Sequence, residues 1–159
     1  FAAPVLGQTT GAISPAITAE DFMARAAMGD RFEIESAKVV QSKSQAQVTE
    51  VFARHLVDDH STSSRALESL SRDVGVSPPN VVKLDPAHQA KIDSLREAEG
   101  RQADELFARM QVAAHEDALA LYRAYAEAGD NAALKQFARQ TIPVLEQHLA
   151  MAKKLNGGP

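Results

Sequence analysis

The strongest constraint on this chain is its hydrophobic period. Long stretches repeat apolar residues every three or four positions, and only short clusters of Gly, Pro, Asn and Asp interrupt them. No window alternates apolar and polar residues as a half-buried strand would. Such a chain has to bury helical stripes against one another. Alanine is frequent, while Gly (8) and Pro (7) are few among 159 residues and sit at the edges of the periodic stretches. A chain of this length makes one domain whose core can form without disulfides or a structural metal.

Four long helices can be read directly. The first starts at Thr18, with Asp21 three residues on as a capping box, and runs to about Gln45 with Phe22, Ala26, Ala37 and Val40 on one face. The second spans about Ala46 to Asp73 and places Val48, Phe52, Leu56, Ala66 and Leu70 on one face. Asp59 falls at the centre of that face and His60 at its border. Pro78 and Pro79 mark a connector from Gly75 to Asp85, and Asp85-Pro86 opens a short helix to about Ala98. The third long helix covers about Arg101 to Ala128. Its face holds Leu106, Phe107, Met110, Ala114, Leu121 and Tyr125, with Asp104, His115 and Tyr122 along an edge seam. Gly129-Asp130-Asn131 stops it and starts the fourth, Ala132 to Leu155, whose face is Leu134, Ala138, Leu145, Leu149 and Ala152, with His148 inside it. Pro143 should bend this last helix. The expected architecture is all-α: an antiparallel four-helix bundle over residues 18–155, with a short extra helix before the third long one. Residues 1–17 read as a flexible N-terminal arm and 156–159 as a C-terminal tail.

Charge and composition exclude several functions. The balance of 17 Lys+Arg against 21 Asp+Glu, net −4, argues against nucleic acid as a partner. Few aromatics and no Trp remove stacking platforms for bases or sugars. No stretch is long and apolar enough for a transmembrane segment. The absence of Cys removes thiolate zinc sites, iron–sulfur clusters and a thiol nucleophile. There is no phosphate-binding loop and no nucleophile elbow. Oligomeric state leaves no mark in the sequence.

What remains is polar residues on core faces. A buried charge needs a partner or a metal. At a rise of about 1.5 Å per residue, Glu33 and His60 stand roughly 18 and 22 Å from a turn near residue 45. His115 and His148 stand roughly 22 and 27 Å from the turn at residue 130. With both turns at one end of the bundle, each helix brings one such residue to a similar level. Glu33, His60, His115 and His148 are therefore the expected metal ligands, for Zn, Cu, Fe or Ni. Asp59 is an alternative ligand or a hydrogen-bonding neighbour of one. Asp104, about three turns from His115, is expected to hold the end of the bundle. Met151 would favour copper if it turned inward, though packing is the simpler role. His55 is expected to be packed or half exposed, His88 exposed, and Tyr122 and Tyr125 packed with their hydroxyls outward. Val51-Phe52-Ala53-Arg54 echoes Gln136-Phe137-Ala138-Arg139 faintly, which would pair His60 with His148 and Glu33 with His115 in a pseudo-two-fold bundle.

Four segments carry a family resemblance: Phe32-Glu33-Ile34-Glu35-Ser36; Phe52 through Ser61, with Asp58-Asp59-His60; Ala103-Asp104 with Val112-Ala113-Ala114-His115; and Phe137 through His148. In this order and spacing the chain resembles the bacterial family called domain of unknown function 4142, over about residues 18–155. The resemblance implies a ferritin-like four-helix fold and an exported, periplasmic location, because members usually carry a signal peptide. Residues 1–17 would then form the arm just beyond the cleavage site. Glu33, Asp59, His60, Asp104, His115 and His148 lie on motif positions, although the aromatic that usually precedes the third-helix Asp is Ala103 here. The Glu-x-x-His repeat of di-iron ferritins is missing, since Val57 and Leu145 stand where Glu would. Three functions compete: a metal-binding bundle; a non-enzymatic structural or stress-associated interaction domain whose polar core residues form a hydrogen-bond network; and, last, a small oxidase or hydrolase.

Overall fold

The computed structural model describes residues 17–77 and 83–157. The expected arm up to residue 16, Pro78 and Pro79 of the connector and the last two residues of the tail lie outside them. Five helices follow one another: α1 (Ala19–Gln41), α2 (Gln47–Val74), α3 (Pro86–Glu97), α4 (Gly100–Ala128) and α5 (Ala132–Leu155). The long α1, α2, α4 and α5 make the four-helix bundle and α3 is the short extra helix. No helix among the described residues is long and apolar enough to cross a membrane.

Side chains at the helix ends explain the boundaries. Thr18 Oγ1 accepts from the Asp21 amide at 3.1 Å. α1 stops at Gln41, short of the expected Gln45, because the amides of Ser42, Lys43 and Ser44 bond back to the carbonyls of Val39 and Val40 and tighten the last turn. Gly75, at φ 71°, ends α2 in the left-handed conformation. Asp85 accepts from the His88 amide at 2.9 Å, with Pro86 at the first position of α3. Asn131 accepts from the amides of Ala133 and Leu134. α5 continues through Pro143 as one helix and carries Lys153 and Lys154 in its last turn.

The connectivity corrects one expectation. Phe22 near the start of α1 stacks on Tyr125 near the end of α4, at 4.1 Å between centroids. Gln111 donates to Ser36 at 2.9 Å, and Lys43 pairs with Glu99. α1 and α4 therefore run antiparallel, and the α1–α2 and α4–α5 turns lie at opposite ends of the bundle, not at one. The link from α2 to α4 must return the length of the bundle, and α3 occupies it, packed on α1 and α4. This is the one-crossover, ferritin-like arrangement. The four polar residues still share a level, because each lies near the middle of its helix and reversing a hairpin leaves its middle in place.

The core has an apolar–polar–apolar layering. At the end where α1 begins, Phe22, Met23, Leu67, Tyr122, Tyr125 and Leu134 pack together. At the other end Val40, Phe52, Leu56, Leu95, Phe107 and Ala152 do so. Asp30, Glu33, Ser36, His60, Gln111, His115 and His148 are buried along the middle of the helices. The inner faces are rotated from those expected. On α2 the buried line is Thr49, Phe52, Leu56, His60, Leu67 and Ser71, so His60 is central, while Asp59 and Val48 face out. On α4 it is Phe107, Gln111, His115, Leu119 and Tyr122, which makes the edge seam the centre. A pattern of fours drifts about 40° per step, so several stripes fit the same apolar residues until neighbours select one.

Two glycines respond oppositely to a methyl group. A Cβ on Gly29, within α1, meets nothing within 4 Å, whereas one on Gly129 would lie 2.6 Å from the Tyr125 carbonyl oxygen. Gly29→Ala should stabilise the fold by about 1 kcal/mol, raising Tm by about 2–4 °C. Gly129→Ala should lower Tm. Calorimetry on both variants checks this, and a destabilised Gly29→Ala would contradict the open space at that position.

Candidate metal centre

Three imidazoles meet in the polar middle layer. His60 comes from α2, His115 from α4 and His148 from α5. Their ring centroids are 5.3–5.7 Å apart in every pair. One nitrogen of each lies within 4.8 Å of the others'. All three side chains are buried.

The outward nitrogens are all engaged. His60 Nδ1 donates to Asp30 Oδ1 at 2.8 Å, and Asp30 also accepts from Ser64 at 3.3 Å. His115 Nδ1 donates to the Gln111 carbonyl, one turn back, at 2.9 Å. His148 Nε2 donates to Asp59 Oδ2 at 2.9 Å. A carboxylate or carbonyl only accepts, so these bonds place the proton of each neutral ring on its outer nitrogen. The other nitrogens, His60 Nε2, His115 Nε2 and His148 Nδ1, are buried without a hydrogen-bond partner. Each ring therefore keeps the lone pair of one buried nitrogen unpaired.

Their protonation follows from burial and charge. Burial works against an imidazolium at His60, but the bond to Asp30 and the charges of Glu33, Asp30 and Asp59 outweigh it, so His60 sits above the ordinary imidazole value. Burial pushes His115 down to about 3, helped by repulsion from His60 and His148 and opposed by the Gln111 carbonyl. Burial and His60 also lower His148, against the pull of Asp59. A proton entering the cluster goes first to His60. The other two remain neutral, as a metal ligand must be.

The remaining expected residues fall into place around these rings. Glu33 lies outside the group of three nitrogens: its Oε1 is 3.6 Å from Nδ1 of His115, and its Oε2 is buried without a partner. Asp59 is half exposed and holds His148 from outside, so of its two expected roles the hydrogen-bonding one matches the geometry. Asp104 stands roughly 16 Å along α4 from His115 and takes no part in the cluster. Its Oδ1 has no partner, so the expected hydrogen bond at the end of the bundle is not made through that atom. Met151 packs against the apolar cluster that holds Phe52 and Phe107. His55 is exposed. His88 is not free: Asp85 holds its Nδ1 at 2.6 Å and its ring lies 4.8 Å from that of Phe32. Tyr122 is buried rather than turned outward, and its hydroxyl is held un-ionised by burial and by the charge of Asp30. Tyr125 reaches Asp130 at 3.0 Å.

Asp30, Gln111 and Ser36 are the residues sequence reasoning missed. Asp30 lies three positions before Glu33, on the same helical face, and that spacing was the available signal. Gln111 precedes His115 by four and is likewise on its face.

Glu33 carries a measurable cost. Burial pushes it up to about 7 from an ordinary 4.5, with the charge of His60 and a bond from Gln111 pulling the other way. An acid raised in this way contributes stability below its unfolded value, and that contribution is lost as pH rises through its folded value. Metal-free wild type should therefore lose stability relative to Glu33→Gln between pH 4.5 and 7, by up to about 3 kcal/mol. Urea unfolding across that range tests it. A wild-type-minus-variant difference that stays flat would show that Glu33 ionises as freely as an exposed acid.

The structure resembles several solved bundles. A DUF305 fragment from Deinococcus radiodurans superposes with a TM-score of 0.77 at 18% identity, covering 91% of this chain and 97% of that one. CopM in its Cu(II)-bound form gives 0.75 at 14% identity, covering 88% and 96%. A DUF305 protein from Streptomyces coelicolor, described as a candidate secreted protein, gives 0.72 at 15% identity, covering 90% and 95%. At these identities the likeness shows a shared fold. No curated protein matches the sequence. The family described as Domain of unknown function (DUF4142) matches residues 6–155, nearly the whole chain, and the protein belongs to that family.

Proposed function

We propose that this protein binds a divalent transition-metal ion in the middle of the bundle, through His60 Nε2, His115 Nε2 and His148 Nδ1. The observation that carries the reading is the convergence of three partnerless, buried imidazole nitrogens whose opposite nitrogens are each anchored. Asp30, the Gln111 carbonyl and Asp59 fix the tautomers and turn the lone pairs inward, as the outer partners of metal-bound histidines do. Bonds of 2.0–2.1 Å hold the nitrogens of a tetrahedral site about 3.4 Å apart. From a spread within 4.8 Å, the rings would need to close by about 1 Å or somewhat more. Small rotations of three side chains supply that.

Imidazole donors suit Zn, Cu, Ni and Fe, and among divalent ions Cu(II) binds such sites most tightly. The copper-bound state of CopM, a structural neighbour, agrees with that choice. Glu33 would balance the ion's charge from beside His115. The reading is one of holding and buffering an ion outside the cytoplasm, in the periplasm. The candidate secreted neighbour supports that location.

A second reading has its own observation. The Asp30–His60 bond ties α1 to α2, Ser36–Gln111 ties α1 to α4, and Asp59–His148 ties α2 to α5. In a purely structural domain these polar bonds would set helix register and bind nothing.

Titration with Cu(II) separates the two. One equivalent per chain is expected by calorimetry and visible absorption, with loss of the site in His60→Ala and His148→Ala. Asp30→Asn should weaken binding about 10–100-fold. Because the ion must displace a proton that His60 holds above the usual imidazole range, affinity should fall as pH drops through that value. Absence of stoichiometric binding of Cu, Zn, Ni and Fe would leave the structural reading.

A further inference from the structure

The three ligand nitrogens have no contact with solvent, so an ion needs a route to them. A cavity of about 430 Å³ lies between α1, α3 and α4 and reaches His60, and none of the other cluster histidines lines it. Its exposed rim includes Asp117, and its buried inner wall includes Asp30 and Glu33. Glu33 is 3% exposed, lines this space and has one oxygen without a partner. Two cationic side chains also stand on the wall, and the charge of Lys91 reaches Glu33. Arg25 pairs with Asp21 at 3.5 Å, and Lys91 lies 5.7 Å from the centre of the Phe32 ring. A carboxylate thus stands at the rim, Asp117, and another at the floor, Glu33.

We propose that this cavity is the path by which a divalent metal ion reaches and leaves the histidine cluster, handed inward by the carboxylate of Asp117 and then that of Glu33. The proposal rests on the metal-binding reading above. A hydrated dication loses its water only where other donors replace it, and a charge is costly to bury without a counter-charge. Carboxylate oxygens at the rim and at the floor meet both needs before the ion reaches nitrogen. Asp59, on the opposite side of His148, offers a competing approach from solvent. Its hydrogen bond to Nε2 directs it to the back of the ring, away from the ligand nitrogen.

Gly29 allows the path to be closed without touching a ligand. It lines the cavity, and a side chain there would project into open space. Uptake of Cu(II) would be followed by quenching of tyrosine fluorescence in stopped flow, and release by transfer to EDTA. Visible absorption would give the equilibrium stoichiometry, and circular dichroism the helix content. Gly29→Phe should bind one Cu(II) per chain at equilibrium while loading and unloading at least ten-fold more slowly than wild type. Gly29→Ala should keep wild-type rates. Should Gly29→Phe fail to fold, Asp117→Lys at the exposed rim decides, with loading expected several-fold slower at low ionic strength and the difference shrinking as salt is added. Wild-type rates in Gly29→Phe, or in Asp117→Lys when it is the deciding variant, would overturn the route and leave the metal site standing. A folded Gly29→Phe that no longer binds Cu(II) at equilibrium would also overturn it, since the cavity would then be part of the site. A wild-type protein that takes up no Cu(II) would remove the metal-binding reading and the route together.

Discussion

The middle of this bundle turns on one electrostatic arrangement. Three imidazoles from three helices lie against one another, and each is held by a hydrogen bond on one ring nitrogen while the other nitrogen is buried without a partner. An unsatisfied buried polar group costs about 1–3 kcal/mol. Three such nitrogens, with a partnerless oxygen of Glu33 beside them, make a sizeable fraction of the roughly 5–15 kcal/mol that stabilises a typical domain. The Asp30 bond lifts His60 while burial depresses His115 and His148, so a proton entering the layer goes to His60.

The surrounding architecture makes that layer stable. Apolar clusters close the bundle above and below it. They lower the local dielectric on both sides of the layer, and so strengthen both the anchoring bonds and the repulsion between lone pairs. The crossover brings α3 against α1 and α4, walling a cavity that His60 and Glu33 also line. The faint repeat between α2 and α5 also gains a geometric form. Two hairpins related across the waist of the bundle must put their turns at opposite ends. In that arrangement Glu33 lies 3.6 Å from His115, and the His60 and His148 rings are 5.5 Å apart.

Much of the fold was legible because helix ends are written in local chemistry. Thr18, Asp85-Pro86 and Gly129-Asp130-Asn131 start and stop helices within a few residues of one another, and no distant contact is needed to read them. The candidate cluster was legible for another reason: a His amid apolar neighbours at helical spacing is out of place unless something answers it. Asp30 and Gln111 escaped because acids and amides are common on helices, and only the partner marks one as special. Asp59 was misplaced because Val48 and Ala66 read as core, whereas the helix is rotated to bury His60 and Leu67 instead.

By itself the sequence determined four amphipathic helices, their caps, the absence of thiol chemistry, and a set of histidines and acids near the middle of each long helix. These follow from local rules of period, propensity and capping. Tertiary structure alone decided the rotation of each helix about its axis, the end at which each turn lies, and which nitrogen of each ring faces inward. It also separated Glu33 and Asp59 from the three nitrogens they were grouped with. The reason is that each of these depends on contacts between residues tens of positions apart, such as Asp30 with His60 or Asp59 with His148. Helical periodicity places a residue on a face but leaves open what that face will meet.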